Sequence, residues 1–306
     1  MLRFIIKKTA VVVLLVFGIT LITFLLINML PGDPAEGLVG QHAKPEDLER
    51  IRASLGVDKP IIFQYTGYVS LVIRGNLGRS YYSNRDVLDE ILRKLPNTLA
   101  LAASAVLLAT VLGVLYGFLS GLNNGKLADR MLSTLSLAGI SMPVFWSGLI
   151  LMLVLSLKLK LLPPSGTGGL KFLILPAITL SLPVISSISR ITRASVIETI
   201  DLPFVKVLKA KGLTHLRINF IHILKNTLIP VITVIGLDFA SFLNGAVLTE
   251  TIFGWDGIGR FTVDGILKRD YPVVLGCIIT GTFIFVFINA AVDIIYRYVD
   301  PRVRVS

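Results

Sequence analysis

The chain has 306 residues, of which 54% are hydrophobic and only 16% charged, and its mean hydropathy is +0.78. Those values exclude an ordinary soluble domain and describe a polytopic membrane protein. The net charge of +11 follows from the bias of Lys and Arg toward the inner side of a membrane and toward anionic headgroups. No basic stretch is interleaved with aromatics as a nucleic-acid module would be.

Arg3, Lys7 and Lys8 precede an uncharged run from Thr9 to Leu30, long enough to cross a hydrocarbon core of about 30 Å. The run closes on Leu30-Pro31-Gly32-Asp33-Pro34 without a small-residue cleavage site, so it reads as a retained span and not a signal peptide. Residues 31–96 are polar, with nine basic and nine acidic side chains, and are expected to form a small external subdomain. Pro45-Glu46-Asp47 followed by Leu48, Ile51, Leu55 and Gly56 predicts a short capped helix. A second begins near Asn84, with Asp89 to Arg93 and Glu90 to Lys94 as i, i+4 pairs.

The remainder, 97–306, is expected to hold five further spans. The second span, about 97–121, carries Gly113, Gly117 and Gly121 at a spacing that admits a close neighbouring helix. Asn123 to Arg130 is a tight turn. The third span, about 131–157, is predicted to run through Pro143, and the fourth, about 172–189, contains Pro176 and Pro183. The fifth, about 227–248, holds Asp238, the only carboxylate well inside a span. The sixth, about 272–295, contains the lone Cys277, which excludes an intramolecular disulfide and reads as a packing residue. On the short segments, Lys and Arg number 15 on one side and 6 on the other, which predicts both termini inside.

Between the fourth and fifth spans lies a basic loop, 190–225, with seven Lys and Arg against Glu198 and Asp201. Asp201 as N-cap, Pro203 in the first turn and Gly212 at the end predict a helix of under three turns. Phe204, Val207, Leu208 and Lys211 then share one face. So short a helix is unstable alone. Its apolar ridge needs a partner, either lipid headgroups or another protein's groove.

His42, His215 and His222 form no metal set, and no phosphate-binding glycine loop, nucleophile elbow or CxxC motif occurs. No catalytic, cofactor-binding or metal-binding residue is expected, and any ATP and Mg must be bound by another chain. An ion-gradient transporter would show relay carboxylates or histidines in several spans and often internal repeats. One such carboxylate and no repeat count against that alternative.

Taken in order, Leu30-Pro31-Gly32-Asp33-Pro34-Ala35, Leu55-Gly56-Val57-Asp58-Lys59-Pro60, Gly75-Asn76-Leu77-Gly78-Arg79-Ser80 and Gly139-Ile140-Ser141-Met142-Pro143 resemble signatures of one family. So do Thr192-Arg193-Ala194-Ser195, Ala210-Lys211-Gly212-Leu213, Gly245 to Arg260, and Asp270-Tyr271-Pro272. The chain resembles the permease subunits of binding-protein-dependent ABC importers, of the dipeptide and oligopeptide class. The loop departs from the broad importer motif, having Lys206-Val207-Leu208 where Glu-Ala-Ala is usual.

The resemblance implies an all-α fold of six transmembrane helices, the type I importer permease, in a bacterial cell membrane. It implies a coupling helix of Phe204, Val207, Leu208, Lys209, Ala210, Lys211 and Gly212, with Phe204 and Leu208 docking into a cytoplasmic ATPase. It also implies partnership with a second, related permease, two ATPase subunits and a substrate-binding protein. Asp238 and Asn244 are expected on the translocation path. Glu250, Trp255, Arg260 and Asp264 are expected to meet the binding protein.

Overall fold

A computed structural model describes the backbone of residues 2–29 and 45–299, and among the described residues it is helical, with a single isolated β-bridge between Arg79 and Asp86. The Leu30-to-Ala35 motif lies outside the described residues. The helices are α1 (Leu2–Met29), α2 (Pro45–Leu55), α3 (Ile61–Ile73), α4 (Val87–Leu122) and α5 (Leu127–Ser141). There follow α6 (Val144–Leu151), which continues as a π-helical Met152–Lys158, α7 (Leu170–Ile200) and α8 (Pro203–Ala210). Then come α9 (Leu224–Gly245), entered through His215–Arg217 and a π-helical Ile218–Ile223, α10 (Val247–Ile252), α11 (Ile258–Lys268) and α12 (Tyr271–Val299).

Among the described residues, α4, α7, the helix through α9 and the first part of α12 are each long and apolar enough to cross a membrane, and α5 with α6 makes a fifth, bent span. The 28-residue α1 supplies the sixth, reaching about 42 Å at 1.5 Å per residue.

Several expected boundaries move. The short helix expected from Asn84 is the first part of α4, which runs straight through Pro96. The two side chains just after that proline are held. Asn97 Nδ2 donates to the Asp256 carbonyl at 2.8 Å, and the Ile258 N–H donates to Thr98 Oγ1 at 2.9 Å. The expected pairs at i, i+4 are also exchanged for others. Glu90 accepts from Arg93 at 2.9 Å and Arg85 at 3.0 Å, while the buried Lys94 pairs with Asp256 and lies over the Phe261 ring.

The third span is not continuous. It bends by 104° between Ser141 and Val144, because a residue before proline is driven out of the helical region and Met142 is extended, at φ −100° and ψ 131°. Pro176 and Pro183 stay inside α7.

The chain packs as two units, residues 1–98 with 256–286, and residues 99–255 with 287–306. In the first, a core of Tyr65, Tyr68, Leu77, Val87, Ile91, Val273 and Leu275 is buried. Ser80 Oγ donates to Asp270 Oδ2 at 2.6 Å and the Tyr81 N–H to Oδ1 at 3.1 Å, so two of the signature stretches bind each other. A Cβ on Gly78, at φ +85°, would lie 3.3 Å from Pro272. Residues 256–286 therefore pack with the amino-terminal residues.

In the second unit the glycine run of α4 lies directly on α7. A Cβ at Gly113, Gly117 or Gly121 would stand 2.8 Å from Ile188, 2.3 Å from the Ser189 carbonyl and 2.6 Å from Val196, all closer than contact permits. The other side of α7 receives α5, where Ser136 Oγ donates to Ser189 Oγ at 3.0 Å. Around these contacts Leu101, Ala105, Ala109, Leu180, Val184, Ile188 and Trp255 form the core.

Candidate functional site

The basic loop is a helix held by one face and bare on the other. Its start differs from expectation. Asp201 closes α7 as a C-cap, at φ −82° and ψ −8°, and the extended Leu202 precedes Pro203, which takes the first turn of α8 with no side-chain cap. At the other end Gly212 turns left-handed, at φ +77°. Its N–H donates to the Lys209 carbonyl at 3.0 Å, and that of Leu213 to Leu208 at 3.3 Å. This pair of bonds is a Schellman close, with Leu213 and Leu208 in the same apolar cluster as that motif favours.

Val205 is fully buried, in a cluster with Phe118 of α4, Val196 of α7 and Ile218 and Ile223 at the entry to α9. Phe204 and Leu208, expected as a ridge open to a partner, are half-buried against this same cluster. The ridge is therefore split. A one-residue step turns Val205 inward and leaves Val207 51% exposed, among Lys206, Lys209, Ala210, Lys211 and Gly212, all exposed.

A second feature lies beside the loop. Asp129, 3% exposed, sits in the first turn of α5 and accepts from five groups. Arg193 of α7 contributes Nε at 2.7 Å and an Nη at 2.8 Å, the Gly125 N–H lies at 2.8 Å, and the hydroxyls of Ser120 and Ser133 complete the set. Arg193 also donates to Asn124 Oδ1 at 3.0 Å. A bidentate guanidinium fixes direction as well as distance, so it ties the α4–α5 turn to the loop end of α7. Sequence reasoning missed Asp129 because Asn123 to Arg130 read as a turn. The signal was an acid eight residues after Gly121, in the first turn of the next helix.

Asp238 of α9 is half-buried, and its Oδ2 is buried without a hydrogen-bond partner among the described residues. An unsatisfied buried carboxylate oxygen is costly. Asn244 lies in α9, but its side chain is outside the described residues. Of the residues expected to meet an external protein, Glu250 at 0% and Trp255 at 4% exposure are inside the chain. Trp255 belongs to the core, and its N–H donates to the Glu250 carbonyl at 2.8 Å, so neither offers a docking surface. Arg260 and Asp264 are half-buried on α11.

Residues 113–305 match the family model described as binding-protein-dependent transport system inner membrane component, and residues 1–102 match the model of its N-terminal region. The chain belongs to this family. It is similar over 99% of both chains to the di/tripeptide transport system permease protein DppB of Pseudomonas aeruginosa, at 40% identity, and to the dipeptide permease DppB of Escherichia coli K12, at 36%. The glutathione transport system permease GsiC of E. coli K12 is 34% identical over 99% of both chains. Among solved structures, a chain of the inward-facing MetNI methionine ABC transporter aligns with a TM-score of 0.59 at 17% identity, over 69% of this chain and 96% of its own. A chain of an amino acid ABC transporter aligns at 0.56 and 14%. The permease is thus a multi-pass inner-membrane transport subunit with the fold of ABC importer permeases, and α8, Asp129 and Arg193 lie inside the family's matched region.

Proposed function

We propose that this permease translocates di- or oligopeptides for an ATP-driven importer and that α8 is where the ATPase takes hold. The observation that carries the reading is the division of α8, with Val205 locked among three helices and Val207 bare among lysines. The peptide assignment is supported by full-length relatives named for dipeptides, di/tripeptides and glutathione.

In this reading the basic loop and both termini are cytoplasmic, in keeping with the distribution of Lys and Arg. Two ATPase subunits bind ATP and Mg, a second related permease completes the pore, and an external binding protein delivers substrate. Closure of the ATPases displaces Val207 and its lysines. Because Val205 touches α7 and the entry to α9 at once, both helices rock together, and the Asp129–Arg193 clamp carries the α4–α5 turn with them. Such a lever biases two discrete arrangements and so alternates access. Asp238, with its unmatched oxygen, faces the path or the second permease, where it can meet a peptide's ammonium group. Asn244 is assigned to the same path. Arg260, Asp264 and the exposed Ser83 remain for the binding protein.

The test is uptake by proteoliposomes holding the complex and its binding protein. Labelled dipeptide should accumulate only with internal ATP. Accumulation driven by a proton or sodium gradient without ATP would overturn the reading in favour of a secondary transporter.

A further inference from the structure

Helix α3 has no charge in its 13 residues and is flanked by Lys59 and Arg74. At about 20 Å it is too short to cross a bilayer. One face, Tyr65 and Tyr68, is buried. The Tyr65 hydroxyl lies 3.1 Å from Thr20 Oγ1 and donates to the Phe17 carbonyl at 3.3 Å, and its ring packs against Phe17 and Phe24, with centroids 6.0 and 5.3 Å away. Those three residues lie in the middle of the uncharged run with which α1 crosses the membrane. The other face leaves Ile62 70%, Phe63 65% and Ile73 80% exposed. A short apolar helix set beside a span at that depth is surrounded by hydrocarbon wherever protein does not cover it.

The trough next to α3 has the chemistry of an amphiphile's mould. It holds about 390 Å³ between Phe24, Phe63, Tyr68, Leu71 and Tyr271, with the exposed Lys59 and Arg79 on its rim. Neither cation forms an ion pair among the described residues. Among the described residues the Tyr68 hydroxyl is buried there without a hydrogen-bond partner. Apolar walls, an idle buried donor and two rim cations match an acyl chain, an ester carbonyl and a phosphate in that order.

We propose that α3 is embedded in the bilayer beside α1 and that the trough holds a phospholipid, its acyl chain along Phe63 and Leu71 and its phosphodiester at Lys59 and Arg79. This moves α3 out of the aqueous subdomain in which its place in the sequence put it.

Spin labels on Ile62→Cys and Ile73→Cys, in a Cys277→Ala background and in the assembled complex in phosphatidylglycerol/phosphatidylethanolamine nanodiscs, test the placement. Collision with oxygen should exceed collision with a water-soluble nickel chelate, as for Leu14→Cys on α1. Dominant nickel collisions would place α3 in water, and protection from both reagents would place a protein on it; either result overturns the proposal. For the headgroup, native mass spectrometry of the complex should show phosphatidylglycerol retention falling at least fivefold in Lys59→Glu/Arg79→Glu. Unchanged retention, or displacement of the lipid by dipeptide, would overturn that site.

Discussion

Asp129 and Arg193 are unequal partners, and the inequality can be measured. Asp129 has a side chain 5% exposed against 33% for Arg193. Removing the guanidinium strands a buried carboxylate, whereas removing the carboxylate leaves an arginine that can reach water. Arg193→Ala should therefore destabilise the permease by about 2 to 4 kcal/mol and Asp129→Ala by less. The double mutant should cost less than the sum of the two. Thermal unfolding of the four proteins in one detergent checks this, and equal, additive losses would show that the pair is not coupled.

Leu208 shows how burial changes the choice of probe. Since it packs on Val205 and Leu213, Leu208→Asp would damage the loop as well as any docking surface. Val207→Asp changes only the bare face. At Asp238, Asp238→Asn should preserve insertion and fall in uptake, because it keeps the shape and loses the charge that a cationic peptide end would meet. Normal uptake by Asp238→Leu would remove the residue from the path.

At the level of elements, the glycine face of α4 gives the sharpest contrast. Gly117→Ala drives a Cβ to 2.3 Å from a backbone carbonyl of α7, whereas a Cβ at Gly18 meets nothing within 4 Å. Gly117→Ala should lower the yield of folded permease at least severalfold and Gly18→Ala should leave it unchanged, as read by size-exclusion chromatography of a fluorescent fusion. That face was legible from the four-residue spacing alone, as were α2 with its closing Gly56 and the Pro203 start and Gly212 stop of α8. These are local signals, written in backbone preference and periodicity.

What escaped the sequence depends on neighbours. Periodicity showed that α8 has an apolar side but not that its own chain would take Val205 and half of Phe204 and Leu208. Pro143 breaks its span while Pro176 and Pro183 do not, and the sequence around the three prolines does not separate them. Trp255 and Glu250 are expected on an external display because their stretch resembles the family's last external loop. Their burial is set by a tertiary fit to the second unit's core that no spacing encodes.

On the scale of the whole molecule, the two units divide the work in sequence order only in part. The amino-terminal unit recruits 256–286 from the far end of the chain, tying α11 and the start of α12 to α3, Val57 and the Gly75-to-Ser80 turn. The other unit carries the glycine-face packing, the Asp129–Arg193 clamp and α8. The candidate lever therefore sits in the same unit as the glycine-face packing and the clamp.

The most direct measurement is made on Val207→Asp in the reconstituted complex, with binding-protein-dependent ATP hydrolysis and dipeptide uptake followed in the same vesicles. The variant should insert normally, lose at least tenfold in uptake, and retain less ATPase on copurification. Wild-type uptake with a full complement of ATPase would contradict the assignment of α8 as the point where ATP hydrolysis is turned into transport.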